Sequence, residues 1–240
     1  MAHDMAYDQY EEVIRKMASD LPRDFAGAPA GAYRRDADGG FAPEPRPGCT
    51  VLAGPYPIMS IKTEMALLQD QLRGQCPEFA AVPTGTLHMT VADLKAGKEY
   101  LGLAADERGE LCAKVARILD GHRFPDNTAG TITGVGVFPS VVIALVSFSP
   151  AAYQAVMAAR DAIHTGLGLC PQFPFVGHIT LGYVEIPADA PAAQRARAKK
   201  AVGSARQAFA RSAASTSVTF PLHWAAVFTF PHMSRFDPGA

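Results

Sequence analysis

Cysteine is sparse and scattered. Cys49, Cys76, Cys112 and Cys170 form no Cys-x-x-Cys pair, and none stands at zinc spacing from a histidine. That excludes a zinc ribbon and a thioredoxin-like redox motif, and it predicts reduced, mostly buried thiols in a cytoplasmic protein. Long apolar runs are missing as well. No stretch reaches the ~18 residues of a membrane span. Asp4, Asp8, Glu11 and Glu12 stand where a signal peptide would carry its apolar segment. Charge of one sign is also missing: 22 Lys and Arg against 23 Asp and Glu leave a net charge of −1. No global basic field is available for generic nucleic-acid binding. A glycine-rich phosphate cradle is absent, since Gly134-x-Gly136 is too short for one. No metal, cofactor or protein partner is implied, and a monomer is expected. What is present is 48% hydrophobic and 19% charged residues, enough to bury a core without cross-links.

Taken in order, residues 7–19 place Tyr10, Val13, Ile14 and Met17 at helical spacing. Residues 20–48, rich in Pro, Gly, Ala and Asp, predict an irregular arm, with Arg34, Arg35 and Arg46 on a solvated connector. From there the pattern is regular: a strand at 49–53, a helix at 61–73 closed by Gly74, a strand at 86–94, a helix at 107–119 and a strand at 131–138. After Pro139-Ser140 it resumes with an apolar strand at 141–148 and a helix at 151–165 between Pro150 and Gly168. The segment with Pro171 and Pro174 leads to a strand at 175–184. An Ala-rich helix at 190–211, a strand at 216–230 and an irregular tail at 231–240 follow.

Two of those strands share a motif. Leu87-His88-Met89-Thr90-Val91 and Gly177-His178-Ile179-Thr180-Leu181 lie 90 residues apart. Alternation puts His88 with Thr90 on one face of a strand, and His178 with Thr180 likewise, against Met89, Val91, Ile179 and Leu181 on the packing faces. The same phase carries each functional face on through Ala92 and Gly182, where small residues leave room, and puts Tyr183 on the packing side. At the same shift of 90, the other helices and strands also fall into register, including Val135-Gly136-Val137-Phe138 on Ala225-Ala226-Val227-Phe228. The chain reads as a duplicated unit. The expected class is α+β, with two pseudo-symmetric lobes, each an antiparallel sheet with helices on its outer face and motif strands at a central cleft. Residues 1–47 form an N-terminal helix and arm, 48–138 the first lobe and 139–236 the second, in one compact domain.

Two imidazoles and two hydroxyls form a chemical kit. Histidine titrates near pH 6.5, so one ring can take a proton while its partner gives one. Each transfer contributes roughly 10²–10⁴-fold. The Thr90 and Thr180 hydroxyls can donate to the non-bridging oxygens of a phosphodiester as charge builds on them. Arg235, in the tail, is a further candidate phosphate ligand.

The paired motifs near the middle and end of the chain resemble those of the 2H phosphoesterase superfamily, over roughly residues 48–236. The run Leu87–Val91 and the tail from Val227-Phe228-Thr229-Phe230 through Phe236 resemble a branch known mainly as a domain of unknown function. The resemblance implies a metal-independent phosphodiesterase acting on a 2′,3′-cyclic phosphate or a 2′-5′ linkage in a nucleotide or RNA end. His88 and His178 would then be catalytic, and Thr90 and Thr180 would bind substrate. Two other readings stand beside it: a nucleotide- or RNA-binding module without turnover, and RNA end joining by the same imidazoles run in reverse.

Overall fold

The two motif strands become neighbours in one antiparallel sheet. The structure, a computed structural model, describes residues 5–20, 31–120, 122–138, 140–170, 174–187, 189–213 and 217–238. Part of the arm, Pro139, Pro171 and the start of the strand expected at 216 lie outside them. In chain order the elements are α1 (Tyr7–Ser19), β1 (Tyr33–Arg35), β2 (Phe41–Pro43), β3 (Gly48–Gly54), α2 (Lys62–Gln75), β4 (Phe79–Ala81), β5 (Met89–Ala96), α3 (Lys98–Leu101), α4 (Ala105–Ile118), β6 (Ala129–Val137), β7 (Val141–Phe148), α5 (Pro150–Leu167), β8 (His178–Val184), α6 (Ala192–Ala213), β9 (Val218–Pro221), β10 (Trp224–His232) and β11 (Arg235–Pro238). Among the described residues no helix is long and apolar enough to cross a membrane.

Local signals account for many boundaries. Pro150 opens α5 behind Ser149, whose hydroxyl accepts the Ala152 N–H at 3.2 Å, and Gly168 closes it at φ +64°. The arm differs from the irregular connector expected. β1 and β2 pair in it as a small hairpin. The Glu185 carboxylate, just past β8, accepts the backbone N–H groups of Gly31, Ala32 and Tyr33 at 3.0–3.1 Å and ties that hairpin down. The strand expected at 216–230 is two strands, broken after Pro221, which go to opposite flanks of the sheet. The tail expected to be irregular folds back as β11 against β10. Its four residues are too short for alternation to reveal a strand.

The sheet order is β11-β10-β3-β5-β8-β7-β6-β9, with β4 against the far half of β8. The sheet is therefore continuous across both halves of the chain, and the motif strands β5 and β8 meet edge to edge at its middle. β6 pairs with β7, the next strand in the chain. β10, near the end of the chain, pairs with β3, near its beginning. Helices cross over in the same way, α2 against β8 and α5 against β5. Met89, Val91, Ile179 and Leu181 are fully buried on the helix-packed side, where each contributes roughly 1.5–3 kcal/mol.

The sheet is also strongly curled. β11 lies three strands from β5, roughly 14 Å in a flat sheet at about 4.8 Å per step. Yet the ring centroids of Phe236 in β11 and of His88, at the head of β5, are 4.2 Å apart. Curling closes that distance and turns the sheet's open face into a groove.

Gly182 is where two strands crowd. A Cβ there would stand 2.4 Å from Ala80 O and 2.6 Å from the Phe79 ring, both in β4. Backbone cannot yield without unpairing β4, so Gly182→Ala should cost about 1–3 kcal/mol as overpacking. Calorimetry is expected to show a melting temperature lower by at least about 2–4 °C. Gly74→Ala, in open space on a helix, should hold or raise it.

Candidate active site

The site begins with one backbone bridge, Met89 to Ile179, between β5 and β8. Its antiparallel register places His88 opposite Thr180 and Thr90 opposite His178. Met89 and Ile179 are fully buried, whereas the other four side chains are partly exposed. All four motif side chains therefore share the open face, each imidazole facing a hydroxyl across the strands. The two histidines lie on one diagonal of this square, a separation of roughly 7–8 Å between strand positions.

Both rings are held alike. Nδ1 of His88 lies 2.7 Å from Thr86 O, and Nδ1 of His178 lies 2.7 Å from Val176 O. A carbonyl only accepts, so each Nδ1 donates and carries the proton. Nε2 is then the basic nitrogen of each neutral ring, and it is the nitrogen left for exchange with a ligand.

Beyond the threonines the simple alternation fails in both strands at the same place. Val51 pairs with Ala92 and the next residue, Leu52, with Thr90. Val142 pairs with Gly182 and the next, Ile143, with Thr180. Each motif strand thus carries one extra residue at this point, a β-bulge, which re-aims the side chains that follow; β5 carries a second between Asp93 and Lys95. Ala92 and Gly182 turn away from the groove, contrary to the expectation from alternation. Asp93 and Tyr183 take the face of the threonines instead. Tyr183 is covered there by Tyr33 of the hairpin, ring centroids 5.6 Å apart. Burial raises its phenol's pKa, and Arg46 and Asp93 both act on it electrostatically.

Each bulge is anchored from beneath by a helix of the other half. Gln69 of α2, fully buried, donates through Nε2 to Leu181 O at 2.8 Å and to Val82 O at 2.8 Å. Arg160 of α5 donates through Nη1 to Val91 O at 2.8 Å. The Leu181 carbonyl also accepts the Val82 N–H at 3.1 Å, so the bulge in β8 is held by two donors.

The surroundings of the two histidines differ. His88 packs against Phe236 and lies 6.3 Å from the Tyr56 ring. Those rings join Leu52, Phe228 and Phe230 in a small apolar cluster on the open face, apart from the main core. His178 meets the edge of Phe138 at 5.4 Å. Burial pulls the His88 pKa down to about 4, against the Thr86 hydrogen bond and with the His178 charge. Burial also lowers His178, while the Val176 hydrogen bond and Asp93 work in the opposite direction.

Arg235 is not gathered with the motif residues. It alternates with Phe236 along β11, is 65% exposed, and pairs with Asp237 at 3.2 Å. Phe236 is the residue that reaches His88. Sequence reasoning did not single out Phe236, Tyr56, Phe138 or Asp93. The signals present were the match of Phe138 with Phe228 at the 90-residue shift and the tail run that ends at Phe236. Among the described residues no cluster of three or more metal-ligating side chains occurs. A separate cavity of about 340 Å³ lies beneath the hairpin, lined by Tyr33, Arg73, Cys76 and Phe79. Arg73 is paired there with Asp70, and burial pushes the Cys76 thiol up to about 12, so that cavity offers no acid–base pair.

No family model matches the chain, and no curated protein matches it in sequence. In fold it is similar to a conserved protein of unknown function from Agrobacterium tumefaciens, at 17% identity and TM-score 0.57, over 91% of this chain and 92% of that one. It is also similar to Escherichia coli LigT solved with 3′-AMP, at 16% identity and TM-score 0.45, over 81% of this chain and 95% of that one. Kluyveromyces marxianus Usb1 is similar at 13% identity and TM-score 0.47, over 79% and 97%. At these identities the likeness is one of fold. The antiparallel α+β architecture agrees with the one expected from the resemblance to 2H phosphoesterases.

His88 stays neutral in the fold down to about pH 4, whereas an unfolded histidine titrates near 6.5. Between those values the unfolded chain binds the extra proton. The stability this group contributes is therefore whole above about pH 6.5 and is lost as pH falls toward 4. Phe236→Ala opens one side of the ring to water. It should raise the His88 pKa toward 6.5 and lessen this acid loss, as read by NMR titration of the ring and urea unfolding at pH 7 and 5.

Proposed function

We propose that the groove hydrolyses a phosphodiester, a 2′,3′-cyclic phosphate or a 2′-5′ linkage of a nucleotide or RNA end, by paired-imidazole acid–base catalysis. The chain would then be a member of the 2H phosphoesterase superfamily. The observation that carries this reading is the crossed register of His88, Thr90, His178 and Thr180 on one face of adjacent strands. Catalysis of this kind asks for two proton carriers on either side of one phosphorus and donors aimed at its oxygens.

In the proposed reaction a water oxygen bonds to phosphorus and its proton passes to the neutral Nε2 of one histidine. The bond from phosphorus to a ribose oxygen breaks, and the leaving alkoxide takes the proton from Nε2 of the other. The threonine hydroxyls donate to the non-bridging oxygens while charge accumulates there. The Nδ1–carbonyl bonds hold both rings in orientation throughout, so little is spent on ordering them at the moment of reaction. The aromatic wall of Tyr56 and Phe236 beside His88 suits the flat apolar face of a nucleobase. The division of the chain into 48–138 and 139–236 belongs to the same proposal. Two copies of one unit that exchange their last strands would bring two like motif strands together.

The test is hydrolysis of 2′,3′-cyclic nucleotides and a 2′-5′ dinucleotide in the presence of chelator. His88→Ala and His178→Ala should each lose at least roughly 10²-fold in kcat. The double variant should be little worse than either single one, because the pair acts as a unit. Activity that persists in both single variants would place the chemistry elsewhere.

A further inference from the structure

The two motif strands match through the histidine, the threonine and the bulge, and then diverge. β5 continues onto the open face with Asp93, and β8 continues with Tyr183. We propose that Asp93 divides the labour of the two histidines, holding the proton on His178 as general acid and leaving His88 as general base. This rests on the phosphodiester reading of the same groove and deepens it. Asp93 touches no reacting atom in this scheme; it is a positioning residue for a proton.

Thr90 stands opposite His178, and the bulge returns Asp93 to the face of Thr90 as its next neighbour along β5. Asp93 is therefore diagonal to His178, and a carboxylate there favours the imidazolium form. Phe138 after β6, Leu145 opposite on β7 and Thr180 on its own strand face His178 without charge; the other titratable groups on this side are the His88 imidazole and the Glu11 carboxylate, which accepts the Ser147 hydroxyl further along β7. His88 has the contrary environment. The Phe236 and Tyr56 rings pack beside it, and the charge of His178 opposes its protonation. A single proton shared by the pair thus resides on His178.

The steps balance. Nε2 of His88 takes a proton from water as the new O–P bond forms. Nε2–H of His178 gives a proton to the ribose alkoxide as the old P–O bond breaks. The sum is addition of water, and solvent carries the proton from His88 back to His178 between turnovers.

Two measurements test this. The first is the pH profile of kcat/KM together with ring titrations of both histidines by NMR, without substrate, in wild type, Asp93→Asn and Asp93→Glu. In Asp93→Asn the His178 titration and the alkaline limb should move to lower pH, with His88 and the acid limb in place. Asp93→Glu should restore the wild-type positions. An unmoved His178, or a shift confined to His88, overturns the proposal. The second compares a ribose leaving group with 4-nitrophenolate, which departs without a proton. His178→Ala should recover roughly 10²–10⁴-fold with the aryl ester relative to the ribose substrate, whereas His88→Ala should lose as much on both. The reverse pattern also overturns it. The ring titrations need no turnover, so they decide the part of Asp93 even where the hydrolysis reading itself has failed.

Discussion

The bridge between Met89 and Ile179 is the contact on which the candidate site depends. Among the described residues it is where β5 and β8 share backbone register; on the C-terminal side β4 takes over the edge of β8. A slip of one residue there would send His88 and Thr90 into the core and Met89 into water. The bridge does not stand unsupported. Gln69 and Arg160 hold the bulged carbonyls on either side of it, each from a helix belonging to the other half of the chain. Pairing between strands remote in sequence does the same at larger scale, β10 on β3 and β9 on β6. Neither motif strand could relax away from the other without unpairing sheet and exposing the apolar face that both share.

That mutual support makes two imidazoles alike in tautomer and unlike in surroundings. Hydrogen bonds to Thr86 O and Val176 O orient the rings by the same rule. Packing then separates them. Curling of the sheet brings the β11 aromatic against His88, and a bulge brings a carboxylate toward His178. In a proton-transfer pair such inequality is useful, because two identical groups would compete for one proton.

The regular parts of this fold were legible in the sequence because they rest on local periodicity. Helices α2 and α5, the apolar β7 and the alternation of His88-Met89-Thr90 each state their own geometry within ten residues or so. The misread parts share a different cause. Residues 216–230 looked like one strand, yet its two pieces belong on opposite flanks of the sheet, a choice made by partners far away in sequence. Alternation placed Ala92 and Gly182 in the groove. A bulge is defined by the strand across from it, and no period within β5 or β8 reveals one. Arg235 attracted attention as a cation in the tail, while the residue packed on His88 proved to be its neighbour Phe236.

The sequence by itself determined the chemical kit: two imidazoles, each with a hydroxyl two residues on, in strands whose other face must be buried. Side-chain chemistry and a period of two residues are properties of the chain alone, so they survive without coordinates. Only the tertiary structure decided which strand edges meet, which aromatics close over His88, and that Asp93 shares the open face. Those outcomes depend on register, bulges and sheet curl, which arise between segments remote in sequence and are set by the burial of the whole sheet rather than by any one stretch.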